Sequence, residues 1–293
     1  MRTQGRVTYV ALVTATYAGA CAKRPSAPLD AALELDTAVS QDASDASALV
    51  VPPWLLAIEN SGTDSNKHRL LRIAVDEAEF GQTREICSDV TLPAGVPTSN
   101  IISSLTFNQG RLRATGRVIE QGDTMFEIDP CTCTASVIGA YGGTSGFGGI
   151  PGITSIGAAM FGIDTVSDLV TRIDVNTARS TPLAPLPCDW GTAGLTWSGP
   201  QRNSLLAISG ATDTLVEFEP ATGIVRGTPL ALDYDFGSVG MEYHPGQDRL
   251  YACSSTGHLL VVDAVNGHVT VGPRLFAPCN NLAAPFGRVD CIQ

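Results

Sequence analysis

The sequence predicts an all-β fold, most simply a β-propeller of five four-stranded blades. A phrase of an apolar strand, an acid and a short turn recurs as LVEFEPATG (215–223), LLVVDAVNG (259–267), LVTRIDVNT (169–177), MFEIDP (125–130) and the degraded LLRIAVD (70–76). The acids at 76, 129, 174, 219 and 263 lie 53, 45, 45 and 44 residues apart, which is the length of a propeller blade. The 30 glycines and 18 prolines suit short strands joined by many turns.

The whole-chain composition excludes several classes of protein. A net charge of -11 argues against nucleic-acid binding, which needs clustered Lys and Arg. After the N-terminus no run of 18 apolar residues occurs, so nothing later predicts a membrane-spanning helix. The eight cysteines lack the spacing of metal ligands and therefore indicate an oxidising compartment.

Residues 1–20 have the organisation of a signal peptide. Arg2 and Arg6 precede an apolar stretch that ends in AGAC, with Cys21 as its last residue. This stretch resembles a bacterial lipoprotein signal, and the resemblance implies cleavage before Cys21 and lipidation of its sulfur. Because Ala22 follows the cysteine, the expected location is the cell envelope, at the outer membrane. The alternative is an ordinary secretory signal that is cut at the same position.

Residues 21–50 predict a disordered tether between this signal and the folded domain. The segment is rich in Ala, Ser and Asp, and its five acids repel one another. It holds too few large apolar residues to offset the entropy of ordering. We therefore assign residues 51–293 to the propeller domain.

The repeats divide into strands in the order of the chain. The fourth repeat predicts Gly194–Trp197, Leu205–Ile208, Leu215–Phe218 and Thr228–Leu232, and the fifth predicts Gly240–Tyr243, Arg249–Ala252, Leu259–Val262 and Val269–Leu275. The innermost hairpins of the second and third repeats are Ser103–Ala114 and Ile153–Ile163.

The first repeat lacks an innermost strand and opens directly with Trp54–Ile58. We expect the C-terminal stretch Asn281–Phe286 to supply the missing strand, because this exchange closes the ring and removes exposed sheet edges. The long first step of 53 residues leaves six or more blades as the alternative.

The phrases at Glu219–Gly223 and Asp129–Pro130 resemble the YVTN and quinoprotein-like group of propeller repeats. The resemblance covers about Trp54 to Phe286 and implies the fold. It implies no cofactor, because no cofactor-binding residue of that group can be matched in this sequence.

The loops between blades predict the binding site, since they converge at one mouth of the central channel. We take them as Ser88–Asn100, Gly139–Gly152, Pro187–Ala193, Asp233–Ser238 and Ala277–Asn280. Their aromatic and polar residues suit a sugar or a cationic ligand. A cation such as calcium is the one cofactor that these oxygens would accommodate. The predicted ligand-binding residues are Asp189, Trp190, Asp233, Tyr234, Asp235 and Asn280. The alternative is that they are solvated loop residues that bind no ligand.

Other polar residues predict structural roles. The recurring acids Asp129, Asp174, Glu219 and Asp263 precede turns, whose backbone amides short acids bind. His68 and His258 are expected in loops on the same side as the inter-blade loops, and His244 and His268 on the opposite side, all of them solvated. We assign no catalytic residue and no metal ligand.

The cysteines predict one disulfide drawn from Cys87, Cys253, Cys279 and Cys291, with the pairing left open. A local bond between Cys131 and Cys133 is a further candidate. If Cys21 is lipidated, seven cysteines remain and at least one stays unpaired; Cys188 and Cys253 are the expected buried thiols.

The leading functional hypothesis is a non-enzymatic, monomeric binding propeller that recognises an envelope protein or a glycan. The first alternative is a propeller-type hydrolase or lyase that uses Asp189 with Asp233 or Asp235, since glycoside hydrolysis needs two carboxyl groups flanking the bond. The second is a scaffold subunit of an envelope complex, which a large exposed apolar patch would favour.

Overall fold

The computed structural model describes residues 51–60, 67–96, 102–118, 122–142, 149–188 and 190–292. The predicted signal peptide, the tether and Cys21 lie outside the described residues. The described chain forms 19 strands and no helix, arranged as five antiparallel sheets. The prediction of a five-bladed propeller is therefore confirmed, and the described residues hold no sixth blade.

Each blade is a consecutive stretch of chain whose strands run from the axis outwards. Blade one has β1 (Trp54–Asn60), β2 (His68–Ala74) and β3 (Thr83–Cys87); blade two has β4 (Ile102–Asn108), β5 (Arg111–Val118), β6 (Gly122–Asp129) and β7 (Thr134–Ala140). Blade three has β8 (Gly152–Ile156), β9 (Ala159–Asp164), β10 (Leu169–Ile173) and β11 (Ser180–Pro185). Blade four has β12 (Ala193–Trp197), β13 (Leu205–Ser209), β14 (Thr214–Phe218) and β15 (Val225–Ala231); blade five has β16 (Val239–His244), β17 (Arg249–Ser254), β18 (His258–Val262) and β19 (Val269–Arg274).

The C-terminal segment completes blade one, as predicted. Leu56 and Ala283 exchange both backbone hydrogen bonds, at 2.8 and 2.9 Å. The buried side chain of Asn281 continues the pairing: its Oδ1 accepts from the Ile58 N–H at 2.6 Å, and its Nδ2 donates to the Ile58 carbonyl at 3.0 Å. Leu282 is 1% exposed and packs in the core. Residues 281–284 therefore serve as the innermost strand of the first blade.

Neighbouring innermost strands pack closely and are tied by threonines. The Thr154 hydroxyl of blade three accepts from the Trp197 N–H of blade four at 3.1 Å. The Thr196 hydroxyl accepts from the Tyr243 N–H of blade five at 2.9 Å. A Cβ on Gly194 would lie 2.8 Å from Met241, so glycine permits this approach.

At the outer edge, the turn before each outermost strand rests on the preceding blade. A Cβ on Gly223, which has φ +70°, would lie 2.9 Å from the Leu183 side chain of blade three. In the next such turn, the Gly267 carbonyl accepts from the Asp233 N–H of blade four at 3.2 Å. The Thr-Gly and Asn-Gly ends of the repeated phrase therefore contribute to the contact between blades as well as to the turn itself.

The recurring acids hold the turns, as the sequence predicts. The Asp174 Oδ1 accepts from the N–H groups of Asn176 and Thr177, both at 2.9 Å, and Asp263 does the same for Val265 at 2.8 Å. Asp129 accepts from the Cys131 N–H at 2.8 Å. Glu219 differs, because its carboxylate pairs with Arg226 instead.

We expect these aspartates to contribute to acid sensitivity. Hydrogen bonds from turn amides lower the pKa of Asp174 and of Asp129. A folded pKa below the unfolded one gives stability that is present above the unfolded pKa and lost as pH falls through the folded pKa. The variant Asp174→Asn should therefore show a smaller loss of Tm than the parent between roughly pH 5 and pH 2. The matched control is Asp235→Asn, which removes an exposed carboxylate. If the Tm of the parent and of both variants falls equally between these pH values, Asp174 does not contribute to the acid sensitivity.

The disulfide pairing in the structure differs from the predicted local bond between Cys131 and Cys133. The three disulfides described in full are Cys87–Cys133, Cys131–Cys291 and Cys253–Cys279. The expected bond between Cys131 and Cys133 is wrong, because the two point to different partners. Cys253–Cys279 agrees with the predicted set, whereas the free thiols expected at Cys188 and Cys253 are wrong: no described cysteine is free.

All three bonds gather where the ring closes. Cys87–Cys133 joins the end of blade one to blade two, and Cys253–Cys279 joins blade five to the chain just before the closing segment. Cys131–Cys291 joins the C-terminal tail to blade two. The disulfides therefore cross-link the junction that the C-terminal strand makes.

Candidate functional site

The propeller has two rims with different loops. We call the side of the inter-blade loops the upper rim. The lower rim consists of the turns that leave the innermost strands, 109–110, 157–158, 198–204 and 245–248, together with residues 285–292 after the closing strand. The sequence predicts the binding site on the upper rim.

The predicted upper-rim residues make different contacts and do not form one cluster in the part of the chain that the structure describes. Asp233 accepts from the Val269 N–H at 2.7 Å and lies 2.7 Å from the His268 Nδ1, so it joins the outer edges of blades four and five. The Tyr234 hydroxyl hydrogen-bonds Ser254 at 3.1 Å and Thr256 at 2.9 Å. Asp235 is exposed. Asn280 accepts from the Asn281 Nδ2 at 2.8 Å. Asp189 lies outside the described residues.

Trp190 is a core residue and offers no ring face to a ligand. It is 3% exposed and packs against Phe218 with ring centroids 6.1 Å apart, in the cluster between blades three and four. Its place in an inter-blade loop suggested exposure, but the ring turns back into the blade interface because burial of so much apolar surface stabilises the packing.

Two of the four histidines are buried, contrary to the expectation of solvated loop residues. His68 is 2% exposed, and its Nδ1 lies 3.1 Å from the Asn60 Oδ1. His244 is fully buried; its Nδ1 accepts from the Gln247 N–H at 3.2 Å, and its Nε2 donates to the Pro52 carbonyl at 2.9 Å. Burial lowers the pKa of His244, so the ring is neutral and fixes the start of the domain against blade five.

The lower rim carries an accessible aromatic pair that the sequence analysis missed. Trp197 ends the innermost strand of blade four and is partly exposed. Its ring lies 6.0 Å from that of Phe286, at an angle of 34°. Phe286, 38% exposed, follows the closing strand. Two residues far apart in sequence therefore meet only because the C-terminus closes the ring.

The loop Ser198–Ser204 supports Trp197. The Asn203 Oδ1 accepts from the Trp197 Nε1 at 3.3 Å. Ser198 and Ser204 close the loop through their hydroxyls at 3.0 Å. Gly199 has φ +83°, and a Cβ there would lie 2.7 Å from the Tyr243 ring, so only glycine lets the loop lie on Tyr243. The indole is thus fixed before any ligand arrives.

A groove of about 370 Å³ lies between blades four and five. Ser198, the residue after Trp197, lines it together with Gln201 and Arg202 on one side and residues 248–250 and 261–265 on the other. Arg202 is held by Glu217, with 3.0 Å between its Nε and the Glu217 Oε2. The groove therefore offers a fixed guanidinium and an amide, together with the Tyr243 ring.

The carboxylates that line the groove, and Glu217 behind Arg202, are already engaged. Asp248 accepts from the Tyr243 hydroxyl at 2.7 Å, and burial together with Asp248 raises the pKa of Tyr243 to about 12. Asp263 holds its turn. Glu217 binds Arg202, which lowers its pKa.

The part of the chain that the structure describes contains no cluster of side chains that could hold a metal ion. There, no three His, Cys, Asp or Glu side chains gather in one place. The described ranges also contain no helix that is long and apolar enough to cross a membrane.

Comparisons with known proteins support the fold alone. No family model matches the sequence, and no curated protein matches it. A chain of a nidogen/laminin complex is similar in structure, with TM-score 0.52, 10% identity and coverage of 80% of this chain and 99% of that one. That likeness agrees with the propeller architecture that the strands show.

Two further structures are less similar. One is a Bacteroides thetaiotaomicron protein of unknown function, with TM-score 0.48, 15% identity and coverage of 76% of this chain. This chain spans 56% of that protein's length. The other is a Myxococcus xanthus glutaminyl cyclase, with TM-score 0.43, 14% identity and coverage of 62% and 69% of the two chains. Neither carries an argument about function.

Proposed function

We propose that this protein is a non-catalytic glycan-binding propeller whose site is the Trp197–Phe286 pair with the adjoining groove. The observation that carries the proposal is the accessible aromatic pair at the lower rim. Sugar rings stack on aromatic faces through their apolar C–H surface, while their hydroxyls need hydrogen-bonding groups nearby. Arg202 and Gln201 provide those groups in the groove.

The site is organised in advance, which favours affinity for a flexible ligand. Asn203 holds the indole nitrogen, and Glu217 holds Arg202. Because these side chains are already ordered, binding loses less conformational entropy than it would at a mobile loop. A glycan that lies on the pair would extend along the groove between blades four and five.

Enzymatic and scaffold functions have less support. The catalytic pair considered from sequence joins Asp189, outside the described residues, to Asp233 or Asp235, and the Asp233 carboxylate already binds His268 and the Val269 N–H. A scaffold would need a large apolar patch. The large exposed apolar residues are instead distributed over blades two to five and the C-terminal tail: Val137, Val166, Ile224, Val265, Val271 and Phe286.

The binding site is tested by substitution of its Trp. In a glycan array with the purified, disulfide-intact protein, Trp197→Ala should weaken binding by roughly 10- to 100-fold, the loss typical of a Trp anchor. Tyr234→Ala at the upper rim is the matched aromatic control and should bind like the parent. Loss of binding in the Tyr234 variant alone would contradict the lower-rim site, and absence of glycan binding by the parent would contradict the proposed ligand class.

We further propose that the protein acts outside the cytoplasm, held to the envelope by a lipid on Cys21. The disulfides support an oxidising compartment. Mass spectrometry of the N-terminal peptide from the envelope fraction tests the anchor, with a diacylglyceryl group expected on Cys21. Cys21 in a disulfide would contradict it, because the lipid uses the same sulfur. Cys188 is disulfide-bonded but belongs to none of the three bonds described above, so a lipid on Cys21 requires the partner of Cys188 to come from another molecule. A peptide that joins Cys21 to Cys188 would refute the anchor.

A further inference from the structure

The groove between blades four and five has apolar walls. They are formed by Leu206, Leu250, Val261, Val262, Ala264 and Val265. Val265 is 86% exposed, so part of this apolar surface is open to water. The volume of about 370 Å³ lies within the range of ligand pockets, about 300–1,000 Å³. The groove is therefore large enough to take several apolar side chains of a docking segment.

The polar residues of the groove leave one charge without an acidic partner. Asp248 accepts from the Tyr243 hydroxyl, and Arg202 binds Glu217. Arg249 lines the same groove and is exposed. No ion pair joins it to an acid in the described ranges of the chain. A segment that matches the groove would therefore combine apolar side chains with an acid.

The described chain begins close to this groove. The Pro52 carbonyl accepts from the His244 Nε2 at 2.9 Å, and a Cβ on Gly246 would lie 2.9 Å from the Val51 Cβ. Gly246 belongs to the lower-rim turn in which Asp248 lines the groove. Because two residues span at most about 7 Å, the chain before Val51 leaves the domain near the groove.

The sequence before Val51 contains one segment of the required composition. Residues 29–36, outside the described ranges, read LDAALELD. Their leucines are the only ones between residues 22 and 48, where no Ile, Met, Phe, Trp or Tyr occurs. Leu29 and Leu33 are spaced for one side of a helical turn, and the segment carries acids but no Lys or Arg. This is the pattern of an amphipathic segment that binds an apolar groove.

We propose that residues 29–36 of this chain dock in the groove between blades four and five. Leu29 and Leu33 lie against the apolar walls, and an acid of the segment lies beside Arg249. The contact removes apolar surface of both the segment and the groove from water, which is its driving force. The acid adds an interaction with a guanidinium that no described carboxylate binds.

The connection to Val51 is long enough for this contact. Residues 37–50 have a reach on the order of 20 Å by random-coil scaling, whereas Gly246 and Asp248 are about 7 Å apart at most. A segment joined to its site in this way meets it at an effective concentration of about 1 mM, so even a weak contact is populated. The docking does not depend on a glycan at the Trp197–Phe286 pair, and a glycan that extends into the groove would compete with it.

Photo-crosslinking of the full-length protein tests the proposal. A benzophenone amino acid is placed at position 33, and cross-linked peptides are identified by mass spectrometry after reduction of the disulfides. The cross-links should lie within one chain and join position 33 to residues 198–206, 248–250 or 261–265. Cleavage by a Glu-specific protease after Glu34 gives a second readout, because docking should slow it by about 2- to 10-fold.

Two variants make the test specific. Val265→Asp places a charge in the apolar wall and should lower the cross-link yield and remove the protection of Glu34. Val271→Asp changes a valine outside the groove that is 53% exposed and should leave both readouts as in the parent. Equal cleavage rates in all three proteins would overturn the proposal. So would cross-links that are spread over the whole surface, or cross-links between two molecules, which would assign the groove to a second copy.

Discussion

Deletion of residues 281–293 is expected to prevent the protein from folding at 37 °C. The deletion removes the strand that pairs with Leu56, the buried Leu282 and the Asn281 bonds to Ile58. Loss of a buried Leu alone costs about 2–5 kcal/mol, and each backbone group left unpaired costs about 1–3 kcal/mol. The total is comparable to the whole stability of a domain, about 5–15 kcal/mol.

A shorter deletion separates the strand from the disulfide. Removing residues 287–293 keeps the closing strand but takes away Cys291, so this protein should fold with a lowered Tm. Circular dichroism and thermal unfolding of both truncated proteins, beside the full chain, check the prediction. If the longer deletion folds as stably as the shorter one, the closing strand contributes no net stability and the prediction is wrong.

Replacement of both Cys131 and Cys291 by Ser is expected to give the second-largest loss of stability. Their bond spans 160 residues, and closing so long a loop in the unfolded chain is worth about 5 kcal/mol on the chain-entropy model. Measured values for native disulfides are about 2–5 kcal/mol, so we expect a fall in Tm of about 5–15 °C.

The double variant Cys253→Ser with Cys279→Ser is the comparison, because that bond spans only 26 residues. The chain-entropy model gives it a smaller contribution, about 3.5 kcal/mol. Thermal unfolding under non-reducing conditions measures both losses. A Tm of the Cys131/Cys291 variant equal to that of the parent would contradict the stabilising role of the tail disulfide.

The sequence was sufficient to predict the architecture, because that depends on local patterns repeated along the chain. The phrase around Asp174 specifies a strand and a turn at each occurrence, and its spacing gives the blade number. The missing first strand at Trp54 pointed to the C-terminus as its replacement, since an open ring would leave an unpaired edge. This prediction required only a count of the strands in each repeat. It did not require knowledge of any contact between side chains that are distant in sequence.

The surroundings of the predicted upper-rim residues could not be read from the sequence, because they depend on the twist of the blades. Asp233 follows an outermost strand, which lies far from the axis and ends beside the His268 turn of the next blade. Trp190 turns inwards to Phe218. Trp197 shares one face of its strand with Leu195, so alternation alone suggests a core residue. The sequence feature that could have indicated the aromatic pair is the position of Trp197 at the end of an innermost strand, together with Phe286 just after the closing strand.

Disulfide connectivity was also beyond local reasoning. Cys131 and Cys133 are neighbours in sequence, but their partners come from blade one and the C-terminal tail. Cys87 reaches Cys133 only when blade one packs on blade two, and Cys291 reaches Cys131 only when the tail closes the ring, so spacing alone could not identify either pair.

Hydrogen exchange of residues 281–284 tests the closed ring most directly, because this segment both completes blade one and brings Phe286 to Trp197. If the segment is an innermost strand, the Ala283 amide, which donates to the Leu56 carbonyl, should exchange as slowly as the amides of β12 and β16, which open only with global unfolding. Exchange at the rate of an exposed tail, in a protein whose β12 and β16 remain protected, would contradict the closure and the lower-rim site built on it.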